Sequence, residues 1–249
     1  MSSSLNFSKA ERAPILWQAL LLTFALIFWT YYQEILIAAD VIAHAAIFFA
    51  SALIIVIIHE AGHKIAAEQV GYTATITSFK EGIVASIIAI FASFGRFPLI
   101  VANPVELDAD PRKRLGSHRQ YENPTQYAFI AFSGTIASSF SIIGFQFIFQ
   151  LTGNELFALI SLAAAIHAIN ALIPWELASI LVLRVKRSIP QITPGDGLLI
   201  MRWHVIAWFA AIIYISAFAL LSTTGSTLAF IAAILFAGLV TAVVAFMQK

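Results

Sequence analysis

Apolar residues fall in long, nearly unbroken stretches: Ile15 to Tyr32, Val41 to Val70, Thr125 to Leu151, Glu155 to Ile173, Asp196 to Leu221 and Thr227 to Met247. At about 1.5 Å of rise per residue, each suits a helix across a hydrocarbon layer about 30 Å thick. Their ends carry helix punctuation. Asp40 can cap the second helix, Gly71 stops it, and Pro174 interrupts the fourth. After Gly71 the texture changes: Tyr72 to Phe79 is rich in Thr and Ile without a helical period, and Gly82 to Phe94 is apolar but too short to span. Phe97 to Val105 is extended and proline-broken, and Glu106 to Asn123 is polar. This predicts short strands and a re-entrant or interfacial piece held against protein, since unpaired backbone cannot face lipid. Trp175 to Arg187 suits an amphipathic surface helix, and Ser188 to Gly195 a loop. The expected fold class is membrane all-α: a polytopic helical bundle of about six transmembrane helices, with a short β or re-entrant segment after the second. Its expected divisions are an anchor helix and outer loop (1–40), a membrane core (41–221) and a C-terminal transmembrane helix (222–249).

Composition agrees. Of 249 residues 60% are hydrophobic and only 11% charged, against about 45–50% and about 25% in soluble domains. The mean hydropathy is +0.89, and the lipid bilayer is the expected solvent. A net charge of +1 gives no basic face for nucleic acid. With no Cys, disulfides, thiolate ligands and cysteine nucleophiles are excluded, so any metal is held by nitrogen and oxygen. The first apolar run ends in Trp29, Thr30, Tyr31 and Tyr32 instead of small residues, which reads as an uncleaved anchor. Lys and Arg lie at 9 and 12, from 64 through 119, at 184–187 and at 249, whereas the loops 33–40, 153–155 and 222–226 have none. With six spans and a non-crossing Gly82 to Phe94, every basic segment falls on one side. The expectation is a multi-pass protein of the cell membrane with both termini, and the His63 end of the second helix, in the cytosol.

The chemistry concentrates in His59-Glu60-Ala61-Gly62-His63, at the end of an apolar run. Four residues apart on a helix, the two imidazoles can reach one metal ion, and Glu60 projects beside them as a general base. From this composition roughly 0.005 chance matches to H-E-x-x-H are expected. Ionisable groups in a membrane helix are costly and usually functional. Two His leave a catalytic metal one protein ligand short. Asp196 is the candidate third ligand, opening a later membrane helix between Gly195 and Gly197, which would let the backbone turn sharply and the carboxylate approach closely. Asp-Gly alone serves equally well as a helix N-cap.

H-E-x-x-H closing an apolar helix, a later Asn and Pro, and Asp-Gly opening another membrane helix resemble the site-2 protease family of intramembrane zinc metallopeptidases, especially its compact archaeal and prokaryotic members. The likeness covers about Ala50 to Ala210, with Val101-Ala102-Asn103-Pro104 a loose counterpart of an extended stretch that follows the zinc helix. The resemblance implies that His59, His63 and Asp196 ligate one zinc ion, that Glu60 is the general base, and that Asn170 and Pro174 lie beside the bound peptide. Asn170 and Asp196 are farther apart than the family's usual spacing, with Trp175 to Pro194 resembling an insertion. Ser133-Gly134-Thr135-Ile136-Ala137-Ser138 looks like the family's small-residue helix, with Ser138 where Asn is common; close helix packing is its expected role.

The implied activity is hydrolysis of peptide bonds within or near the membrane segment of a transmembrane protein substrate, unwound to lie extended, in the manner of regulated intramembrane proteolysis. A different class remains in view, a metal transporter or sensor using the same three ligands; it has no need of Glu60, and Ala45 to Ile58 offers a single Ser along its path. An inactive relative that only binds membrane helices is the third possibility. A rhomboid-like serine site fails because Ala131-Phe132-Ser133-Gly134 lacks the first Gly, and a presenilin-like site fails at Thr193-Pro194-Gly195-Asp196. His167 suits either a neighbour of the site, one turn from Asn170, or a satisfied core histidine. Asp40 and His44 suit an i,i+4 pair, and Arg202 and His204 either orient ligands or pair structurally.

Overall fold

A computed structural model describes residues 6–32, 41–93, 95, 99–109, 124–174 and 195–223, with 231, 232 and 235. Its helices are α1 (Lys9–Tyr32), α2 (Val41–Gln69), α3 (Lys80–Ala92), α4 (Pro124–Thr152), α5 (Glu155–Ala171), α6 (Asp196–Trp203) and α7 (Val205–Thr223), and its strands are β1 (Tyr72–Ile76) and β2 (Val105–Ala109). By length and composition three helical segments can cross a membrane: Lys9–Thr30, Val41–Gln69 and Thr125–Thr152. Glu155–Ala171 and Val205–Leu220 are shorter and also apolar. Outward-facing Ile54, Phe140, Phe147, Ile213 and Leu220 are exposed, as lipid-facing surfaces are. The predicted helix at Trp175 to Arg187, Asp40, and nearly all of Thr227 to Met247 lie outside the described residues.

The second, third and fourth predicted helices form within a few residues of their expected ends. Gly71, at φ +81°, takes the left-handed conformation that ends a helix at little cost only for glycine. One expected helix is two. The stretch from Asp196 to Leu221 breaks at His204, whose backbone is extended at φ −160°, ψ 120°. Its N–H donates to the Ile200 carbonyl (3.0 Å), closing α6, while its Nδ1 accepts from the Ile206 N–H (3.2 Å), capping α7. A polar side chain that satisfies the next helix's free N–H competes with continuing the previous one.

A second correction concerns the polar stretch after Val105. Val105-Glu106-Leu107-Asp108-Ala109 forms β2, antiparallel to β1, with Tyr72 opposite Ala109 and Ile76 opposite Val105. Its apolar residues alternate with exposed Glu106 and Asp108, which is the period of a strand with one wet face. α3, with 13 residues, rises about 20 Å, short of a membrane crossing. It lies on α1, where Phe91 meets Phe24 and Phe28 with ring centroids 5.5 and 5.3 Å apart. Ser86 Oγ on α3 accepts from the Val101 N–H at 2.9 Å, tethering the extended segment.

α1 begins with Ser8 and Glu11 in a capping arrangement: Glu11 Oε2 accepts from the Ser8 N–H at 2.7 Å. The same carboxylate accepts from Lys64 Nζ on α2 at 2.8 and 3.0 Å and from the Ile76 N–H of β1 at 3.1 Å. Glu11 and Lys64 are both buried, so one ion pair ties α1, the metal-motif helix and the sheet together. Lys64→Met would strand the Glu11 charge, which costs about 3–5 kcal/mol in buried pairs. Its denaturation midpoint in detergent should fall sharply, and Glu11→Gln/Lys64→Met should regain part of the loss. An unchanged midpoint for Lys64→Met would show that the pair is solvated.

Candidate metal centre

α2 carries His59 and His63 to the face of α4, and the two helices approach closely because both are small where they meet. A Cβ on Gly62 would lie 2.6 Å from the Ser133 carbonyl oxygen and 2.7 Å from Ala137 Cβ. A Cβ on Gly134 would collide with His63 Nε2. The small-residue stretch of α4 therefore packs helices as expected, and it also makes room for the rings.

Asp196 comes from elsewhere in the chain. It is the first residue of α6, after Gly195 as N-cap, so the N-cap alternative for Asp196 does not hold. Gly195 has φ −74°, an ordinary value, and makes no sharp turn. Gly197 is the glycine that matters: a Cβ there would collide with the Leu172 carbonyl oxygen. The start of α6 thus rests directly on the end of α5, which puts the carboxylate against α2. Trp208 Nε1 of α7 donates to the same Leu172 carbonyl at 2.6 Å, fastening the two ends.

Three atoms converge as a result. His59 Nε2 and His63 Nε2 are 3.2 Å apart, and Asp196 Oδ2 lies 3.2 Å from each. All three residues are buried. Their proton positions follow from what their far sides touch. His63 Nδ1 is 2.8 Å from the Ile130 carbonyl, which can only accept, so Nδ1 carries a proton; in the neutral ring Nε2 then presents a lone pair. Ser138 Oγ lies 3.1 Å from the Gly134 carbonyl and 2.9 Å from His59 Nδ1; with its hydroxyl proton given to Gly134, it accepts from Nδ1. His59 Nε2 is then also a lone pair. Asp196 Oδ2 has no hydrogen-bond donor among the described residues. With both rings neutral, three acceptors face one another in a buried site, and this group can hold a metal ion.

No protein-family model matches the chain, and neither curated proteins nor solved structures yield a match. The chemistry is carried by geometry. Glu60, on the same turn as His59, is buried with its Oε2 unpartnered among the described residues. Asn170 is buried in the last turn of α5, and Pro174 is half-buried just beyond the helix; the metal-binding group itself consists of His59, His63 and Asp196. His204 and Arg202 are exposed, His204 capping α7. His167 is fully buried against His59, the rings perpendicular with centroids 4.9 Å apart. Its Nε2 lies 2.8 Å from Gln18 Nε2, while its Nδ1 has no partner among the described residues.

The residue that sequence reasoning left to packing is Ser138. Its offset from Gly134 signals only a helix face; the orienting bond to His59 depends on the α2–α4 register. Histidine ligands whose outer nitrogens lose such partners bind metal about 10–100-fold more weakly, so Ser138→Ala should lower divalent-metal affinity by that factor in chelator competition. Gly134→Ala, which fills the space of the rings, should abolish stoichiometric binding. Parent-like affinity in both variants would exclude this arrangement.

Proposed function

We propose that this chain is an integral-membrane zinc metalloprotease that hydrolyses peptide bonds within or near the membrane segments of other proteins. The observation that carries the proposal is the 3.2 Å triangle of two imidazole nitrogens and a carboxylate oxygen. Tetrahedral zinc with ligands at about 2.0–2.1 Å requires ligand atoms about 3.3 Å apart. Octahedral magnesium at about 2.1 Å would bring them to about 3.0 Å, and calcium prefers oxygen to imidazole. Three protein ligands leave the fourth position open, as catalytic zinc sites do.

Zinc bound there would act as a Lewis acid, polarising the peptide carbonyl and acidifying a water. Glu60 would accept a proton from the attacking water as its oxygen bonds to the carbonyl carbon, then hand it to the nitrogen as the C–N bond breaks, giving a carboxylic acid and an amine, which exchange a proton to become carboxylate and ammonium. The Glu60 Oε2, unpartnered among the described residues, suits this exchange, since no donor among them competes for it. Burial of the site favours strong electrostatic interaction with the reacting groups. Asn170 and Pro174, on the stretch that seats α6, flank the substrate.

A helix hides its peptide bonds, so the substrate segment unwinds and lies extended, adding to the sheet of β1 and β2 as a further strand. Counting α5, α7 and the apolar run Thr227 to Met247 with the three long helices would make six spans, a number for which the Lys and Arg distribution puts both termini and the site toward the cytosol.

Glu60→Gln keeps the side chain's size and leaves the three ligands untouched but cannot take up the proton. Zinc content should stay at about one per chain, while cleavage of a single-span substrate in detergent or liposomes falls about 10²- to 10⁴-fold. Cleavage at the parent rate, or loss of metal transport in place of cleavage, would overturn the proposal.

A further inference from the structure

A chain of buried side chains runs from α1 through the extended segment to α5 and stops at the metal site. Asn103 Nδ2 donates to the Pro14 carbonyl at 3.1 Å and to Gln18 Oε1 at 2.5 Å. Gln18 Nε2 in turn lies 2.8 Å from His167 Nε2. Gln18, Asn103 and His167 are all buried.

The polarity of this chain is fixed at its far end. The Pro14 carbonyl only accepts, so the Asn103 atom facing it is the amide nitrogen, and that same nitrogen faces Gln18. The Gln18 atom it meets is therefore the oxygen, which turns the Gln18 amide N–H toward His167. His167 Nε2 must accept, and its proton is on Nδ1. That N–H is fully buried and has no acceptor among the described residues. Leaving a buried donor unmade costs about 1–3 kcal/mol, yet two amide side chains are spent on holding His167 in the tautomer that creates it. The ring stands against His59, whose Nε2 is one of the three converging atoms.

Resting on the hydrolase proposal, we propose that His167 is a catalytic hydrogen-bond donor. Its Nδ1–H binds the carbonyl oxygen of the scissile peptide and stabilises the negative charge that develops on that oxygen, with Gln18 and Asn103 as positioning residues that set its tautomer. A neutral donor already ordered in a dry site requires no reorganisation when charge appears, and removing one such donor typically costs about 10²- to 10³-fold in kcat.

Two substitutions at one position separate this role from a structural one. In His167→Asn the side-chain amide sits where Nδ1 was and keeps the donor, giving up the bond to Gln18. In His167→Gln the amide reaches the Nε2 position, keeping Gln18 and losing the donor. With both variants holding about one zinc per chain, His167→Asn should keep kcat within about tenfold of the parent and His167→Gln should fall about 10²- to 10³-fold, with KM little changed. A hydrophobic peptide hydroxamate, whose oxygens occupy the carbonyl's place, should bind the Gln variant at least tenfold more weakly than the Asn variant. Should either variant fail to fold, the parent decides: in ¹⁵N-histidine-labelled, zinc-loaded protein the Nδ1–H proton of His167 should move downfield on adding that hydroxamate. A Gln variant as active as the parent, or an unmoved proton, would overturn the role of His167 while leaving the protease standing. A parent that cleaves nothing, with zinc bound, would overturn the protease itself.

Discussion

Three lone pairs aimed at one point govern this structure. His59 Nε2, His63 Nε2 and Asp196 Oδ2 face one another at 3.2 Å, with the histidine protons drawn to the opposite ring edges by Ile130 and Ser138. With both rings neutral and no cation between them this arrangement is repulsive, and burial strengthens the repulsion. With one, the separate features of the bundle acquire a common reason. Gly62 and Gly134 let α2 and α4 approach, so that α4 can hold both rings from behind. Gly197 lets α6 sit on the end of α5, so that a residue more than 130 positions from His63 supplies the carboxylate.

α1 contributes more than apolar length. Its Glu11 neutralises Lys64, one residue beyond His63, and takes up backbone N–H groups at Ser8 and Ile76. Its Gln18 reaches the wall of the metal site through His167. Buried charge and buried amides are expensive in an apolar bundle unless each is partnered, and α1 provides those partners along most of its first half. Glu60 Oε2 and His167 Nδ1, unpartnered beside the site among the described residues, are groups to which the proposed hydrolysis would give a role.

How much of this could be read from the chain depends on how local the information is. H-E-x-x-H was legible because four residues on a helix place two rings on one face whatever the surroundings. The long helices were legible from apolar length, and Asp196 from scarcity, since only four Asp exist. Ser138 and His167 were not assignable, because their roles lie in which nitrogen they face, a matter of helix register that no spacing within one helix reveals. The break at His204 was hidden inside an uninterrupted apolar pattern, since a histidine cap looks like any polar residue in a helix. β2 was visible in principle: Val105, Leu107 and Ala109 alternate with acidic residues, but the polar stretch that follows hides so short a period. Ser8 and Glu11 likewise spell a capping box, obscured by a polar amino-terminal stretch.

X-ray absorption at the zinc K-edge of the purified, zinc-loaded protein reads the ligand set at this site. The account predicts four nitrogen or oxygen neighbours at about 2.0–2.1 Å, the scattering signature of two imidazoles, and no sulfur. A zinc ion with six oxygen neighbours and no imidazole, or a protein that retains no zinc after loading, would contradict it.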